Sequence, residues 1–552
     1  MRRALEHPLA PVLGAVLFGL IYLAAAPATA DMAGHSFRNW LFERDGAAVW
    51  NAQWYGGHHV LGYSLLFAPP AALLGPAAVG VLAAVAATAA FGPLARTAAA
   101  AGGHGPQASR AAAATWLFAA GMAANVAIGR MPFALGLAFA LAAWLCAERA
   151  RGTPGRVDAT GSSARRHPRA WSASAALLAL AAVWASPVAG AFLLLAAAAR
   201  VAGGGRGELA GAAWLALPVL AGGGALVALF PEGGPDRFVA TAFWPMLAVS
   251  AAAAALLAPE RRALRAGAAL NLAVLVGAFL IPTTFGQNAL RLTVLLGPPL
   301  LVLAARPRAP RLALAACGMA LVYLQWLPAV RAVAEASGDP STEAAFFTEA
   351  STFLARAAQP GERVEVAFTK NHWEAARLAT AVPLARGWER QLDQKVNPLF
   401  YDDGRFTTER YQAWLGANAV RWVALSVAPL DYSARAEARL LERGPAFLRL
   451  AFESPRWRIW EVRDASPPAS GAARVLAAGP EGFEVVAAGP TVVRQRYTPY
   501  WRAEGGCVRP APGGWTAVEP YGAGPVRVRA SFALPLTRHR AGCEPPPLDR
   551  AG

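Results

Sequence analysis

Residues 76–95 read PAAVGVLAAVAATAAFGPLA, twenty residues without a charged side chain. A run of about 20 apolar residues is long enough to cross the hydrocarbon core of a bilayer as a helix. Ten further stretches are long enough to span a bilayer or nearly so: 8–27, 111–129, 132–148, 171–185, 187–200, 209–230, 244–258, 266–285, 290–305 and 311–330. The sequence therefore predicts a polytopic α-helical membrane protein with about eleven transmembrane helices.

The composition of the chain favours the same class of protein. Of its 552 residues, 56% are apolar and 15% are charged, and the mean hydropathy is +0.34. Soluble domains carry about 25% charged residues, so an ordinary soluble enzyme is excluded. Disordered chains are rich in charge and poor in apolar groups, so disorder is excluded as well.

The net charge of +17 raises the question of nucleic-acid binding. Residues 1–330 contain 23 arginines and ten acidic residues, whereas residues 331–552 are nearly balanced, with 28 basic and 24 acidic residues. The excess therefore lies between the apolar stretches, where positive charge reports membrane topology. We expect no nucleic-acid partner.

The arginines also predict the orientation. With a cytoplasmic N-terminus, eighteen of the 23 fall in inner loops, as the positive-inside rule requires, and five remain outside: Arg38, Arg44, Arg130, Arg237 and Arg291. Eleven spans in a bacterial plasma (inner) membrane then place the C-terminal region outside the cytoplasm. Because Ala28-Thr29-Ala30 follows the first apolar stretch, a cleaved signal peptide is an alternative to a first transmembrane helix.

Residues 1–330 are predicted to form the transmembrane domain. The region after it is predicted to form two extracytoplasmic modules. Residues 331–465 alternate helix-like and strand-like runs, which is typical of an α/β layer, and residues 466–552 contain short strands punctuated by Gly and Pro, which is typical of a β-sandwich-like module. Neither contains a glycine-rich nucleotide-binding loop. Cys507 and Cys543 lie in this exported part and are a possible disulfide.

The segment 28–75, predicted as the first outer loop, is long and chemically dense. It contains Asp31, His35 and the run Trp54-Tyr55-Gly56-Gly57-His58-His59. A carboxylate at the end of an apolar helix is costly unless it is paired or used. Asp31 is therefore a candidate site residue.

These residues resemble a known family. An Asp just after the first transmembrane helix, a His four residues later and the pattern W…WYGGHH…GY…PP are similar to the GT-C class of polyprenyl-phosphate-sugar-dependent glycosyltransferases. They are closest to the bacterial membrane branch labelled 6-pyruvoyl-tetrahydropterin-synthase-related. Residues 497–507, which include Tyr497-Thr498-Pro499-Tyr500-Trp501, also resemble the terminal β-module of some bacterial relatives.

The resemblance implies a GT-C-like membrane domain and an enzyme that transfers a sugar from a polyprenyl phosphate to an extracytoplasmic envelope glycan or glycolipid. It implies Asp31 as the base that accepts the proton of the acceptor hydroxyl. Arginines at outer helix ends can grip the phosphate in a bidentate manner. The residues expected to bind the substrate are His35, Trp54, Tyr55, His58, His59, Arg130, Gln287, Asn288 and Arg291.

Each assignment has a structural alternative. Asp31 is equally compatible with a helix cap or a salt bridge to Arg38, and His35 with a solvated loop. The tryptophans, Tyr55 and the two histidines are also typical of an aromatic membrane belt or an interface. Arg130 and Arg291 are also typical of arginines that extend to lipid headgroups.

The sequence departs from the family at one point. Many GT-C enzymes carry two adjacent acids in this loop, whereas Met32 follows Asp31 here and the next acids are Glu43 and Asp45. We therefore predict no metal site and no cofactor other than the lipid-linked sugar substrate. The alternative functions are a catalytically inactive GT-C-like scaffold, a glycan-binding membrane protein and a transporter of lipid-linked glycans.

Overall fold

The computed structural model describes residues 2–101, 107–151 and 168–532. In these ranges the α-helices are α1 (Arg2–Leu5), α2 (Ala10–Ala25), α3 (Ala30–Asp45), α4 (Ala68–Leu74), α5 (Pro76–Ala100), α6 (Gln107–Ile128), α7 (Met131–Arg151), α8 (Pro168–Ala185), α9 (Pro187–Gly204), α10 (Leu209–Leu229), α11 (Ala240–Leu256), α12 (Arg262–Leu280), α13 (Leu290–Ala304), α14 (Arg311–Ala336), α15 (Ala344–Ala357), α16 (Glu374–Arg377), α17 (Arg390–Val396), α18 (Thr408–Ala417) and α19 (Arg435–Glu442).

The strands within the same ranges are β1 (Trp50–Asn51), β2 (His58–His59), β3 (Arg363–Val366), β4 (Val420–Ser426), β5 (Leu448–Glu453), β6 (Trp457–Val462), β7 (Arg474–Gly479), β8 (Gly482–Val486), β9 (Thr491–Arg496), β10 (Trp501–Glu504), β11 (Gly506–Pro510), β12 (Trp515–Pro520) and β13 (Val526–Ala530).

The chain forms two compact units that are not continuous in sequence. The first, called here the membrane unit, consists of the chain up to Pro27 together with Tyr63–Ala228 and Pro235–Ala334. The second, called here the C-terminal unit, consists of Ala28–Gly62, Leu229–Gly234 and the chain from Glu335 onward. Most of the first predicted outer loop thus belongs to the same unit as the modules that the sequence predicts to be exported.

A helix coincides with each of the eleven apolar stretches in the sequence. Among the described residues, eight helices are long and apolar enough to cross a membrane, or nine if the bent pair α2 and α3 counts as one span. The shorter apolar helix α11 lies outside that set. The chain is a multi-pass membrane protein, and the total of eleven spans stays a prediction.

Loops of the membrane unit that are predicted to share the inner side contact one another. Arg110, near the start of α6, donates to the carbonyls of Val302 (3.1 Å) and Leu303 (2.8 Å) near the end of α13. Arg261, just before α12, donates to the carbonyl of Ala98 in α5 at 2.9 Å. The helix ends that the arginines assign to one side are therefore together in the structure.

The membrane unit is packed largely through small side chains. Ala143, Ala175, Ala179 and Ala182 are completely buried where α7 and α8 meet. A Cβ added to Gly136 of α7 would lie 2.7 Å from the Cβ of Ser186. Small residues let helices approach closely enough for dispersion contacts to hold them together where no water is available to drive association.

The C-terminal unit contains the predicted α/β layer. Its four-stranded sheet has the order β3-β4-β6-β5, with β3 and β4 parallel and the other pairs antiparallel. The strand-like runs that the sequence predicts near 363–368, 420–426, 447–453 and 457–462 all coincide with these strands. Val364, Val423 and Ile459 are completely buried, as expected for strands in the interior of a layered fold.

The chain from residue 474 forms two antiparallel sheets. One has the order β10-β13-β8-β7 and the other the order β11-β12-β9. Alternating residues such as Val485, Val526 and Val528 are completely buried, so each strand has one interior face. The β-rich character predicted for this region is confirmed.

The segment 28–75 is not a loop along most of its length, which corrects the prediction. Helix α3 occupies sixteen residues of it, and β1 and β2 pair as a short hairpin. The buried face of α3 includes Met32, Phe37 and Leu41, but the polar residues between them hide the helical period of apolar residues in the sequence.

Candidate active site

Asp31 lies in the first turn of α3. Thr29, the preceding cap residue, has extended backbone angles, and its side chain makes no capping hydrogen bond. The Asp31 side chain is half-buried. An acid is favoured at this end of a helix because the exposed N–H groups give it partial positive charge.

Asp31 forms neither a capping hydrogen bond nor the salt bridge to Arg38 in the described part of the chain. Within residues 2–101, 107–151 and 168–532, no side chain or backbone group pairs with its carboxylate. Arg38, the expected salt-bridge partner, instead bonds to Glu389 at 2.8 Å. The carboxylate of Asp31 is therefore available to a ligand.

Two tryptophans of the C-terminal unit hold the start of α3. The indole N–H of Trp373 donates to the carbonyl of Ala28, and that of Trp388 donates to the carbonyl of Ala30, both at 2.8 Å. These tryptophans lie in two runs rich in polar and aromatic residues, 371–374 and 386–393. In the structure both runs fix the backbone on either side of Thr29, next to Asp31.

The WYGG turn brings Trp54 and Tyr55 into the interior of the same unit. Tyr55 and Gly56 have positive φ angles of 60° and 72°. A Cβ added to Gly57 would lie 2.2 Å from the ring of Trp50, so this turn requires glycine. Trp54 donates to the carbonyl of Ala375 at 3.0 Å.

Tyr55 ties this turn to the segment that carries Trp388. Its hydroxyl donates to the carbonyl of Gly387 and accepts a hydrogen bond from the backbone N–H of Glu389 at 3.0 Å. Burial raises the pKa of the Tyr55 phenol well above its ordinary value, so the group stays neutral. Tyr55 therefore links the turn to the segment whose Trp388 bonds to the start of α3.

His58 and His59 form a polar network on β2. His58 Nε2 lies 3.0 Å from the amide nitrogen of Asn51. The backbone N–H of His59 donates to Glu232 at 2.6 Å, its Nδ1 lies 3.0 Å from the same carboxylate oxygen, and its Nε2 lies 3.2 Å from the hydroxyl of Thr498. Burial lowers the pKa of His58, which favours the neutral imidazole.

All five aromatic and histidine residues predicted to bind a sugar are buried. His35 follows Asp31 by four residues, one turn along α3, and is 2% exposed, and Trp54, Tyr55 and His58 are at most 2% exposed. His59 is the most exposed of the five at 8%. Their positions fit a rigid support for the loop, and their contact with a sugar stays a prediction.

The predicted phosphate-binding arginines belong to the membrane unit. Arg130 lies at the break between α6 and α7, where Gly129 has a φ of 102° and the side-chain amide of Asn125 donates to the Arg130 carbonyl. Arg291 lies in the first turn of α13, with its guanidinium 5.2 Å from the ring centre of Phe133. Both side chains are half-buried.

The charges of both arginines act on Asp236, which the sequence interpretation missed. Burial raises the pKa of its carboxyl, while the backbone N–H of Gln287 and the charges of Arg291 and Arg130 act in the opposite direction. The same carboxylate accepts from Gln287 N–H at 3.0 Å and from the amide of Asn288 at 3.5 Å. The signal in the sequence was an acid in a short loop between two apolar stretches.

Gln287 and Asn288 therefore bond to one carboxylate on which the charges of Arg130 and Arg291 also act. Among Arg130, Arg291 and Asp236 one positive charge is in excess, which favours an anion. Gln287 also donates from its side chain to the carbonyl of Arg237 at 3.0 Å, which fixes the loop. The arrangement suits the binding of a phosphate group.

The remaining predictions concern metals and cysteines. No group of three or more His, Cys, Asp or Glu in the described ranges has the geometry of a metal site. Cys507 is buried on β11, and Cys543 lies outside the described residues. Their pairing stays a prediction.

Comparison with known proteins gives structural similarity without sequence similarity. No family model and no curated protein sequence matches the chain. A crystal structure of ArnT from Cupriavidus metallidurans bound to undecaprenyl phosphate aligns with a TM-score of 0.43 at 14% identity, over 82% of this chain and 99% of that one. The apo structure of the same protein aligns with a TM-score of 0.45 at 11% identity, over 82% of this chain and 98% of that one.

Proposed function

We propose that this protein is an integral membrane glycosyltransferase that moves a sugar from a polyprenyl-phosphate donor to an envelope acceptor outside the cytoplasm. The observation that carries the proposal is the half-buried Asp31 carboxylate, which follows the first apolar helix and has no partner among the described residues. A carboxylate held in such a position without a structural partner is typical of a functional group. The family resemblance of residues 31–70 gives the reaction class.

In the proposed reaction the acceptor hydroxyl oxygen attacks the anomeric carbon of the sugar. The bond from that carbon to the phosphate oxygen breaks, and the phosphate leaves with the electron pair. Asp31 takes the proton of the hydroxyl, a role that contributes about 10²–10⁴-fold to the rate. A single displacement of this kind inverts the anomeric centre.

The phosphate of the donor is assigned to the membrane unit. Arg130 and Arg291 stabilise the charge that develops on the leaving phosphate, and guanidinium groups do so with paired hydrogen bonds. Gln287 and Asn288 bond to Asp236, on whose carboxylate the charges of both arginines act. The proposal includes no metal or other cofactor.

In the C-terminal unit, the proposed rigid floor of the sugar-binding region consists of His35, Trp54, Tyr55, His58 and His59. Their burial means that they act mainly by fixing the backbone around α3 and β2. Preorganised donors and aromatic faces lose little entropy when the substrate binds.

The test compares Asp31→Asn with the wild type in mild detergent. We expect Asp31→Asn to retain a co-purifying polyprenyl-phosphate sugar, observed by native mass spectrometry, and to lose transfer to membrane acceptors by about 10²-fold or more. Arg130→Ala and Arg291→Ala should instead lose the lipid. The mass of the retained lipid identifies the sugar.

Glu43→Gln is the matched control, because Glu43 is an exposed acid on the same helix that bonds only to Asn39 among the described residues. It should transfer at the wild-type rate. Normal transfer by a folded Asp31→Asn variant would refute the assignment of the base. Equal retention of bulk phospholipid alone by wild type and both arginine variants would refute the donor class.

The burial of Trp54, Tyr55, His58 and His59 favours one alternative, a catalytically inactive scaffold whose exported modules bind glycan. That alternative predicts glycan binding by the full-length protein without any retained polyprenyl-phosphate lipid. The same mass spectra therefore distinguish the two functions.

A further inference from the structure

The membrane unit contains a cavity of about 910 Å³ that none of the preceding assignments uses. Residues of α6, α13 and α14 and of the loop after α11 line it. Its volume is near the upper end of the range for ligand sites, about 300–1,000 Å³.

The wall of the cavity is apolar and reaches the outer surface of the helices. Leu117, Leu301 and Val322 line it, together with Met319 and Tyr323 of α14. Met319 is 66% exposed and Tyr323 is 61% exposed, and α14 is long and apolar enough to cross a membrane. Exposed apolar side chains on such a helix face lipid, so the cavity wall continues the lipid-facing surface.

One end of the cavity is basic. Arg110, Arg261 and Arg306 line it with a single acid, Glu260. Two of these guanidinium groups are held in place, because that of Arg110 donates to the carbonyls of Val302 and Leu303 and that of Arg261 donates to the carbonyl of Ala98. Arg306 is exposed. The lining groups therefore carry two positive charges in excess.

The helix ends at this basic end are joined by backbone hydrogen bonds. The N–H of Ala258 donates to Ala304 at 2.8 Å, and the N–H of Arg306 donates to Leu256 at 2.9 Å. This short bridge holds the end of α11 against the end of α13. The arginines are thus presented on a fixed frame at the level where the apolar helices end, which is where lipid headgroups lie.

We propose that this cavity binds an anionic membrane phospholipid, with an acyl chain along the apolar wall and the headgroup phosphate at Arg110, Arg261 and Arg306. Charge complementarity selects an anionic over a zwitterionic headgroup. The apolar wall favours a lipid over a soluble anion, because only the lipid has acyl chains that would bury apolar surface against the wall. The site is independent of the proposed sugar transfer and is tested without an activity assay.

The test measures lipid retention by the full-length protein with native mass spectrometry after titration with phosphatidylglycerol or phosphatidylcholine. We expect phosphatidylglycerol to be retained preferentially by the wild type. Arg306→Gln should bind it about five-fold more weakly, the loss expected for one basic residue near a membrane surface. Arg308→Gln, an exposed arginine that does not line the cavity, is the matched control and should bind as the wild type does.

A second pair of variants tests the apolar part. Gly318 lines the cavity, and a Cβ added there meets no atom within 4 Å. Gly318→Leu should therefore fill the space and abolish preferential retention, whereas Gly277→Leu, at an equally open glycine of α12 outside the cavity, should not.

Three outcomes would overturn the proposal. These are equal retention of the two phospholipids by the wild type, wild-type retention by both Arg306→Gln and Gly318→Leu, and displacement of the lipid by inorganic phosphate alone. The last outcome would identify a site for a free anion.

Discussion

At the scale of single residues, the interior of the C-terminal unit holds one cation among several acids. Arg386 bonds to Asp393 at 2.6 Å and lies 3.5 Å from Glu365, and all three side chains are completely buried. The rings of Phe368 and Phe400 lie 3.9 Å and 3.8 Å from the guanidinium carbon. Such a cluster is stable only if part of its negative charge is neutralised.

Glu437 takes up that neutralising proton together with Glu365. Burial raises the pKa of both carboxyls, that of Glu437 to about 7 from 4.5, although Arg386 opposes the change. The folded protein then binds protons more tightly than the unfolded chain. The stability that Glu437 contributes is therefore complete below pH 4.5 and is lost as the pH rises to about 7.

We predict that Glu437→Gln removes the part of the pH dependence that Glu437 contributes. Gln stays neutral and still accepts the hydrogen bond that the Tyr411 hydroxyl gives to Glu437 at 2.6 Å. At pH 8 the variant should be more stable than the wild type by about 3 kcal/mol, and below pH 4.5 the two should be equal. The measurement is the thermal unfolding midpoint of the full-length protein between pH 4 and pH 8.

Glu442→Gln provides the control, because Glu442 is an exposed residue at the end of the same helix. Its unfolding midpoint should follow the wild-type curve. Parallel pH curves for Glu437→Gln and the wild type would contradict the assignment of the proton.

Site residues could be predicted from the sequence where their surroundings are formed by neighbouring residues in the chain. They were missed where their surroundings are formed by residues distant in the chain. Asp31 was identifiable because the adjacent apolar run already predicts an unusual setting for a carboxylate. Glu437 and Glu365 are 72 positions apart, and nothing in either neighbourhood predicts that β3 and α19 bring them together. Asp236 was missed for the same reason, because its significance depends on Arg130 and Arg291.

At the scale of elements, the start of α3 is the part of the structure that controls Asp31. We predict that Trp388→Phe reduces transfer by up to about 10²-fold, the effect of a small displacement of a reacting group. The substitution keeps an aromatic ring but removes the hydrogen bond to Ala30, at a cost in stability of about 1 kcal/mol. Initial transfer rates and unfolding midpoints of the same preparations measure the two effects separately.

Trp457→Phe separates a change in position from a loss of stability. Trp457 also donates its indole N–H to a backbone carbonyl, that of Phe346, at 2.9 Å, but this bond joins β6 to α15. It should lower the unfolding midpoint at least as much as Trp388→Phe and leave transfer unchanged. Equal loss of transfer in both variants would assign the role of Trp388 to stability alone.

The predictability of an element depends on the contrast between its buried and exposed faces. The membrane helices were predicted to within a few residues of their ends because most of their positions are apolar and arginines lie near many of their boundaries. The strands β4 and β6 were predicted because buried strands are short apolar runs. Helix α3 was missed because its exposed face is polar and its buried face includes His35 and Gly34.

At the scale of the whole molecule, the distribution of arginine predicts the topology, and the contacts within the membrane unit agree with it. Arg110, Arg261 and the bridge between Leu257 and Ala305 join loops assigned to the inner side. Asp236 and Gln287 join loops assigned to the outer side. These contacts group the loops into two sets, and the arginine bias predicts which set is cytoplasmic.

We predict that single cysteines introduced at Gly522 and Gly207 react with a membrane-impermeant maleimide from opposite sides. Gly522 lies between β12 and β13 and Gly207 between α9 and α10, and a Cβ at either position meets no atom within 4 Å, so neither substitution disturbs packing. In spheroplasts Gly522→Cys should be labelled at once, and Gly207→Cys only after permeabilisation, because an odd number of spans separates a cytoplasmic N-terminus from the C-terminal modules. The parent protein measures labelling of the native cysteines, of which Cys146 and Cys317 are buried. The opposite labelling pattern would reverse the orientation and, with it, place Asp31 in the cytoplasm.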